Sequence, residues 1–203
     1  MKTPSARTKS APSQRGVSKA APETIYFYRS NEKPYGVFSN LFQRVIVFEG
    51  REYATSEHAY QAGKARKEAV REWILSAPTP ALVAMAAHGL YTWDITPDWS
   101  RTKYERMRKV LRAKFSQHDD LREILLSTGK ARLVEAGTVV NAVNLTWGEV
   151  KGKGKNMLGV MLMELREELG ARSSTKKNAP GSRSRTARTA ANGWHKGNGA
   201  ITA

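Results

Sequence analysis

The stretch Asp98-Trp-Ser-Arg-Thr-Lys-Tyr-Glu-Arg-Met-Arg-Lys-Val-Leu-Arg-Ala-Lys-Phe115 decides the fold class of this 203-residue chain. Its large apolar side chains recur at the three- and four-residue spacing of one helix face. They are Tyr104, Met107, Leu111 and Phe115. Asp98 or Ser100 is a suitable N-cap. The pattern therefore predicts a long helix that ends near Phe115 and buries one stripe against a core.

Shorter elements flank this helix on both sides. Further helices are predicted from Thr55 or Ser56 to about Ala65, and over residues 68–75, 79–87, 119–127 and 156–169. Strands are predicted where β-branched and aromatic residues cluster, over residues 25–28, 44–48, 51–53, 132–135 and 139–143. The sequence thus indicates an α+β fold that is mostly α-helical with a small sheet.

Charge divides the chain into three parts. Lys and Arg number 34 against 18 Asp and Glu, a net charge of +16. Residues 1–22 hold five basic residues, residues 171–203 hold seven, neither segment has an acid, and the middle keeps a net charge of +4. Both ends lack the large apolar residues needed to fold. We expect a disordered basic N-terminal tail at 1–22, a folded domain at 23–170, and a disordered basic C-terminal tail at 171–203.

The tails and the composition bound the partners. Lys and Arg displace counterions from phosphates, so the tails could hold a nucleic acid. Alternatively they only aid solubility, or residues 1–22 are an organelle transit peptide. The absence of cysteine excludes disulfides and thiolate metal sites. No apolar run approaches the roughly 18 residues of a membrane helix, and no secretory signal follows Met1, so we expect a cytoplasmic protein without membrane contact.

The segment Thr55-Ser-Glu-His-Ala-Tyr-Gln61 gathers a carboxylate, an imidazole and an amide at the start of a predicted helix. Glu57 could orient water or stabilise a developing cation. Alternatively, it caps a solvated first turn. His58 is expected to pack or form hydrogen bonds, because the histidines at 58, 88, 118 and 195 share no metal-ligand spacing. The segment offers a candidate catalytic carboxylate and predicts no metal site.

The segment Trp147-Gly-Glu-Val-Lys-Gly-Lys-Gly-Lys-Asn156 combines three glycines and three lysines just before a predicted helix. Backbone N–H groups and a helix N-terminus can bind an anion there, although the P-loop pattern is absent. The alternatives are a phosphate-binding loop and an exposed basic turn. Trp99 and Trp147 could offer a stacking platform for a base, or they could simply pack in the core.

Seven segments, in chain order, resemble the NADAR domain family, and in particular its YbiA-like N-glycosidases. They are Tyr35-Gly-Val-Phe-Ser-Asn40, Thr55-Ser-Glu-His-Ala-Tyr-Gln-Ala62, Asp98-Trp99, Leu111-Arg-Ala-Lys-Phe115, Trp147-Gly148, Gly152-Lys-Gly-Lys-Asn-Met-Leu-Gly159 and Leu162-Met-Glu-Leu-Arg166. The resemblance covers about residues 24–169. It implies a YbiA-like fold and hydrolysis of an N-glycosidic bond, with no metal or organic cofactor.

The resemblance also implies a substrate and a set of site residues. Substrates associated with the family are phosphoribosylamino-pyrimidine intermediates of riboflavin synthesis and ADP-ribose attached to guanine in nucleic acid. Glu57 becomes the main catalytic candidate. The residues that would bind substrate are Asn40, Gln61, Trp99, Trp147, Gly148, Gly152, Lys153, Gly154, Lys155 and Asn156. The loop from Trp147 to Asn156 would clamp the phosphate.

One position departs from the family pattern. Relatives commonly carry an acid three residues before the Trp-Gly pair, where this chain has Asn144. An amide can hydrogen-bond a hydroxyl but cannot act as a base. Activity is then weaker, altered in specificity, or dependent on Glu149. The alternative functions are a non-catalytic module that binds ADP-ribose or a nucleotide, and a nucleic-acid-binding protein on the same fold.

Overall fold

The computed structural model describes residues 24–177, with side chains described as far as residue 172. The predicted N-terminal tail and most of the C-terminal one lie outside the described residues. In chain order the strands and α-helices are β1 (Thr24–Phe27), β2 (Ile46–Phe48), β3 (Arg51–Tyr53), α1 (Ser56–Ala62), α2 (Glu68–Leu75), α3 (Pro80–His88), α4 (Trp99–Gln117), α5 (Asp119–Ser127), β4 (Arg132–Glu135), α6 (Ala142–Trp147) and α7 (Met157–Lys177). Two short 3-10 helices cover Tyr35–Phe38 and Thr92–Asp94.

The strands form two small pairs. β1 and β4 are parallel, with Ile25 opposite Leu133 and Phe27 opposite Glu135. β2 and β3 form an antiparallel hairpin. Its turn is Glu49-Gly50, and both residues have positive φ, as the favoured two-residue hairpin turn requires. The prediction of a mostly helical α+β fold with a small sheet is confirmed.

The core lies between the parallel strand pair and the two longest helices. Helix α7 packs on β4, and α4 crosses both α1 and α7. The predicted stripe of α4 is buried at Met107, Leu111 and Phe115, while Tyr104 is partly buried against the same core. Apolar burial of this kind is the main favourable contribution to folding. The long helix α4 therefore lies at the centre of the core, and the shorter elements pack around it.

One predicted strand is wrong. Residues 139–143 were expected to form a strand, but Asn141 is the N-cap of α6 and its side chain accepts a hydrogen bond from the Asn144 N–H. Val139 and Val140 are exposed, so the β-branched run has no sheet to join. Helix α1 also ends three residues earlier than predicted, and α7 continues to Lys177.

Two absences in the described part of the chain bear on its partners. Within residues 24–177, none of the helices is long and apolar enough to cross a membrane. The same part of the chain has no group of three or more His, Asp or Glu side chains placed to hold a metal ion.

Candidate active site

A cavity of about 540 Å³ lies where α1, α3, α4, α6 and the end of β4 meet. The predicted site residues that line it are Asn40, Glu57, Gln61, Trp99, Asn144 and Trp147. Six side chains from distant segments of the sequence are thus brought to one concave surface. A mostly apolar cavity with a few convergent polar groups is the usual form of a small-molecule site.

Helix α1 presents the first carboxylate. Thr55 is the N-cap, and its Oγ1 accepts from the His58 N–H. The Glu57 N–H donates to the Asn40 carbonyl at 3.0 Å, which ties the helix start to the loop after the first 3-10 helix. Glu57 is only 8% exposed, so the alternative of a capping glutamate on a solvated turn is wrong. Its Oε1 accepts from Gln61 Nε2 at 2.7 Å.

The second carboxylate belongs to Glu135, which sequence reasoning missed. It is the last residue of β4, and the parallel pairing with β1 carries it to the cavity wall. Functional side chains commonly gather at the carboxyl ends of parallel strands. The sequence predicted a strand at 132–135 with Glu135 as its last residue, but only the pairing of that strand with β1 shows that its carboxyl end reaches the cavity.

The pKa values of both carboxyl groups are raised well above their usual range. Burial raises the pKa of Glu57 to about 7, against a smaller lowering effect of the Gln61 hydrogen bond. Burial and then the charge of Glu57 raise the pKa of Glu135 to about 7. Two interacting carboxyls with pKa values near neutrality share protons at physiological pH. Such a pair can supply one acid and one carboxylate at the same time.

Aromatic rings form one wall of the cavity. The ring centres of Tyr60 and Trp99 are 5.2 Å apart, and those of Tyr60 and Trp147 are 5.6 Å apart. Asp98 has φ of 58° and serves as the N-cap of α4, which makes Trp99 its first residue. Trp99 and Trp147 are each partly buried against the core and still line the cavity. The core and the platform interpretations of these tryptophans are therefore compatible.

Two amides complete the polar wall. Asn40 is 8% exposed, its Nδ2 donates to Met107 Sδ at 3.3 Å, and its Oδ1 has no hydrogen-bond partner in the structure. The Nδ2 of Asn144 donates to the Val139 carbonyl at 2.7 Å. Each amide therefore has an oxygen to offer a ligand. A buried acceptor without a partner normally costs free energy, which a bound donor would recover.

Comparison with known proteins places this geometry in a family. The family model of the NADAR domain matches residues 26–170. The chain belongs to the NADAR domain family. It is 41% identical over 148 residues to N-glycosidase YbiA of Shigella flexneri serotype 5b (strain 8401), an alignment that covers 72% of this chain and 89% of that protein. The predicted family resemblance and the prediction of a glycosidase enzyme are both confirmed.

Two further relatives widen the comparison. A protein of Vibrio vulnificus (strain YJ016) named a riboflavin biosynthesis protein is 34% identical over 148 residues, which is 72% of this chain and 39% of that protein. The NMR structure of the Escherichia coli protein YbiA matches with a TM-score of 0.67 and 38% identity, over 79% of this chain and 92% of that one. The YbiA-like fold is thereby confirmed.

The glycine-rich loop of this NADAR domain lies away from the cavity lining. Gly148, Gly152, Lys153, Gly154, Lys155 and Asn156 were expected to clamp a phosphate, but none of them lines the cavity. The backbone N–H groups of Lys153 and Lys155 donate to the Val150 and Leu145 carbonyls, so a ligand cannot use them. The phosphate clamp at the loop stays a prediction, separate from the cavity that holds Glu57.

Close backbone packing accounts for Gly148 and Gly154, whereas Gly152 has a positive φ of 73° in open space. A Cβ on Gly148 would stand 2.3 Å from the Glu135 carbonyl oxygen, and one on Gly154 would stand 2.1 Å from the Gly148 carbonyl oxygen. Asn156 is buried, and its side chain accepts from the Glu135 N–H and donates to the Leu133 carbonyl. The loop therefore positions the end of β4, and with it Glu135.

The structure also bears on the predictions made for Glu149 and His58. Glu149 forms an ion pair with Arg132 and does not line the cavity, so it does not replace the missing acid at Asn144. His58 is buried, and its Nδ1 shares a 2.8 Å hydrogen bond with Thr55 Oγ1, as expected of a structural histidine. The cavity also contains Lys64, His88 and Lys103, to which sequence reasoning gave no role.

Proposed function

We propose that this N-glycosidase hydrolyses the C–N bond between C1′ of a phosphorylated ribose and a heterocyclic base. The observation that carries the proposal is a pair of carboxyl groups in one cavity beside an aromatic wall, with Glu57 buried and Glu135 partly buried. Cleavage at the anomeric carbon passes through an oxocarbenium-like state, for which two carboxyl groups are the usual catalysts.

The reaction needs one group to receive positive charge and one to release a proton. As the C1′–N bond breaks, the base nitrogen keeps the bonding pair and takes a proton from the Glu135 carboxyl. Positive charge grows on C1′ and the ring oxygen, where the Glu57 carboxylate stabilises it. The oxygen of a water then bonds to C1′, and Glu57 accepts the proton that the water loses. Transfer of that proton back to Glu135 restores the site, and the products are the free base and the phosphorylated ribose.

The electrostatics support this division of roles. Because the charge of Glu57 raises the pKa of Glu135, ionisation of Glu57 favours protonation of Glu135. Gln61 donates to Glu57 and so favours its charged form. Both effects favour the form of the pair with a carboxylate at Glu57 and an acid at Glu135.

The rest of the cavity suits a ribosyl base. Trp99 and Trp147 offer stacking surface to the base. The Oδ1 atoms of Asn40 and Asn144 can accept hydrogen bonds from sugar hydroxyls. Catalysis in this proposal uses Glu57 and Glu135, with Asn144 as a binding group.

Two substrate classes fit this chemistry. The name of the Vibrio vulnificus relative favours a phosphoribosylamino-pyrimidine intermediate of riboflavin synthesis. The 12 basic residues in segments 1–22 and 171–203 favour ADP-ribose on guanine in nucleic acid, because a free metabolite gains little from them. A cytoplasmic location belongs to the same proposal.

Release of base from each substrate class tests the proposal. The full chain should release ADP-ribose from ADP-ribosylated guanine DNA, or the pyrimidine from the phosphoribosyl intermediate. Turnover should fall about 10²–10⁴-fold in Glu57→Gln and in Glu135→Gln. Glu68→Gln is the matched control, because Glu68 also lies in the first turn of a helix but is exposed and paired with Arg71. Unchanged turnover in Glu57→Gln would overturn the assignment.

A further inference from the structure

Three basic side chains of the cavity have no role in the C–N cleavage. Lys64 follows α1, His88 ends α3, and Lys103 lies in α4. Lys64 and Lys103 are half-buried, while His88 is exposed at the cavity mouth. They line the same cavity as Glu57 and Glu135, so a ligand that reaches the carboxyl groups can also reach them.

The position of Lys64 is fixed by the surrounding backbone. Its Nζ donates to the Ala87 carbonyl at 2.6 Å, and its own carbonyl accepts from the Thr96 N–H at 2.8 Å. An ammonium group has three N–H donors, so two are left for a ligand. The Lys103 Nζ lies 5.0 Å from the centre of the Tyr104 ring, which holds this second cation over an aromatic face.

The two lysines lie close enough for their charges to interact, beside the imidazole of His88. Burial and then the charge of Lys103 lower the pKa of Lys64, and burial and then the charge of Lys64 lower that of His88. Within residues 24–172, neither lysine makes an ion pair with a carboxylate. Like charges placed together in a half-buried cavity cost free energy that an anion would recover.

The distance along α1 suits the two ends of one small ligand. Glu57 and Lys64 are seven residues apart, and the Lys64 N–H donates to the Gln61 carbonyl, which continues the helical turn. At the helical rise this separates them by about 10 Å along the axis. Glu57 and Lys64 are therefore separated by about two helical turns along one side of the cavity.

We propose that Lys64, Lys103 and His88 bind the 5′-phosphate of the ribosyl substrate, in the same cavity as Glu57 and Glu135. This inference rests on the proposed function and moves the phosphate from the glycine-rich loop to the helical side of the cavity. The ligand chemistry is a phosphate on C5′ of ribose, which a ribosyl monophosphate and ADP-ribose share.

Calorimetric titration of the full chain with ribose 5-phosphate, ribose and ADP-ribose tests the inference without any turnover. Ribose 5-phosphate should bind more tightly than ribose. Lys103→Met and Lys64→Met should each weaken binding of ribose 5-phosphate by about tenfold or more and leave ribose unchanged. Lys103→Met is decisive if Lys64→Met fails to fold, because the Lys103 side chain supports no backbone group in the structure. Tighter binding of ADP-ribose through the same lysines would identify the diphosphate as the source.

Two further variants separate the possible failures. Lys109→Met removes an exposed cation of the same helix α4 and should bind ribose 5-phosphate within twofold of wild type, as should Lys153→Met in the glycine-rich loop. Undiminished binding in Lys103→Met, or a tenfold loss in Lys153→Met, would overturn the inference. Lysine-dependent binding without hydrolysis of any ribosyl base would instead overturn the proposed function and leave the phosphate site standing.

Discussion

Replacing Glu57 by glutamine should raise the stability of the protein above pH 7 while it removes activity. The wild-type carboxyl is buried, and its pKa is raised from 4.5 to about 7 by that burial. Between pH 4.5 and about 7 the folded state therefore holds a proton that the unfolded chain has released, and above pH 7 the folded state must bury the charged carboxylate. Glutamine keeps an Oε1 atom to accept from Gln61 and has no charge to bury.

The size and sign follow from proton linkage. A folded pKa of about 7 against an unfolded value of 4.5 corresponds to about 3 kcal/mol of lost stability once the group is fully ionised. Between these two values the folded state binds more protons, so wild-type stability falls as pH rises through the window. Near pH 5 the wild type and Glu57→Gln should differ little, and near pH 8 the variant should be more stable by up to about 3 kcal/mol.

Urea unfolding at pH 5 and pH 8, followed by tryptophan fluorescence, measures this difference. Glu68→Gln is again the control, and we expect it within about 0.5 kcal/mol of wild type at both pH values because the side chain is exposed. A Glu57→Gln variant whose stability relative to wild type does not change between pH 5 and pH 8 would refute the reasoning. The catalytic carboxylate would then carry no burial cost, and its role as one of a proton-sharing pair would lose its physical basis.

Two other substitutions probe the support and the polar wall of the site. Lys114 is fully buried and its Nζ donates to the Val37 and Ser39 carbonyls, so Lys114→Met should destabilise the protein by about 2 kcal/mol at pH 7. Burial lowers the pKa of Lys114 to about 7, so the stability of the wild type rises with pH above 7. The stability deficit of Lys114→Met should therefore grow by about 1.4 kcal/mol per pH unit toward pH 9, as measured by urea unfolding. A deficit that does not depend on pH would contradict this. Asn144→Asp restores the acid that the family resemblance implies and should raise turnover roughly tenfold in the base-release assay, at a cost of about 1 kcal/mol for the lost hydrogen bond to the Val139 carbonyl. Turnover that stays constant or falls in Asn144→Asp would show that the amide is sufficient.

Local signals in the sequence predicted most of the elements. The helix predicted over 79–87 is confirmed as α3, where Thr79 is the N-cap and Pro80 the first residue, and the strands predicted at 44–48 and 51–53 pair through the Glu49-Gly50 turn, because caps and tight turns depend on neighbouring residues. The run at 139–143 failed because its β-branched pattern has no neighbouring strand, while Asn141 could cap a helix. Strand propensity describes a fit to a sheet, and the sequence does not show where the sheet ends.

The site was predicted in part for a similar reason. Glu57 and Gln61 lie one helical turn apart, so their shared face was visible in the spacing. Glu135 was missed because its place in the cavity depends on the parallel pairing of β1 with β4, which joins distant parts of the chain. The glycines of the loop do not by themselves indicate a function, because an anion cradle and close backbone packing call for the same residue.

The positions of Glu57 and Glu135 in the sequence have a consequence for folding during translation. Glu57 comes from α1 in the first half of the chain, whereas Glu135 ends a strand that pairs with β1 and is covered by α7. A nascent chain that has exposed only its first half on the ribosome holds one carboxyl without its partner. If both groups act as proposed, catalytic competence is acquired late, when β4 and α7 have emerged and docked, and activity in a cell lysate reports complete folding of the described domain.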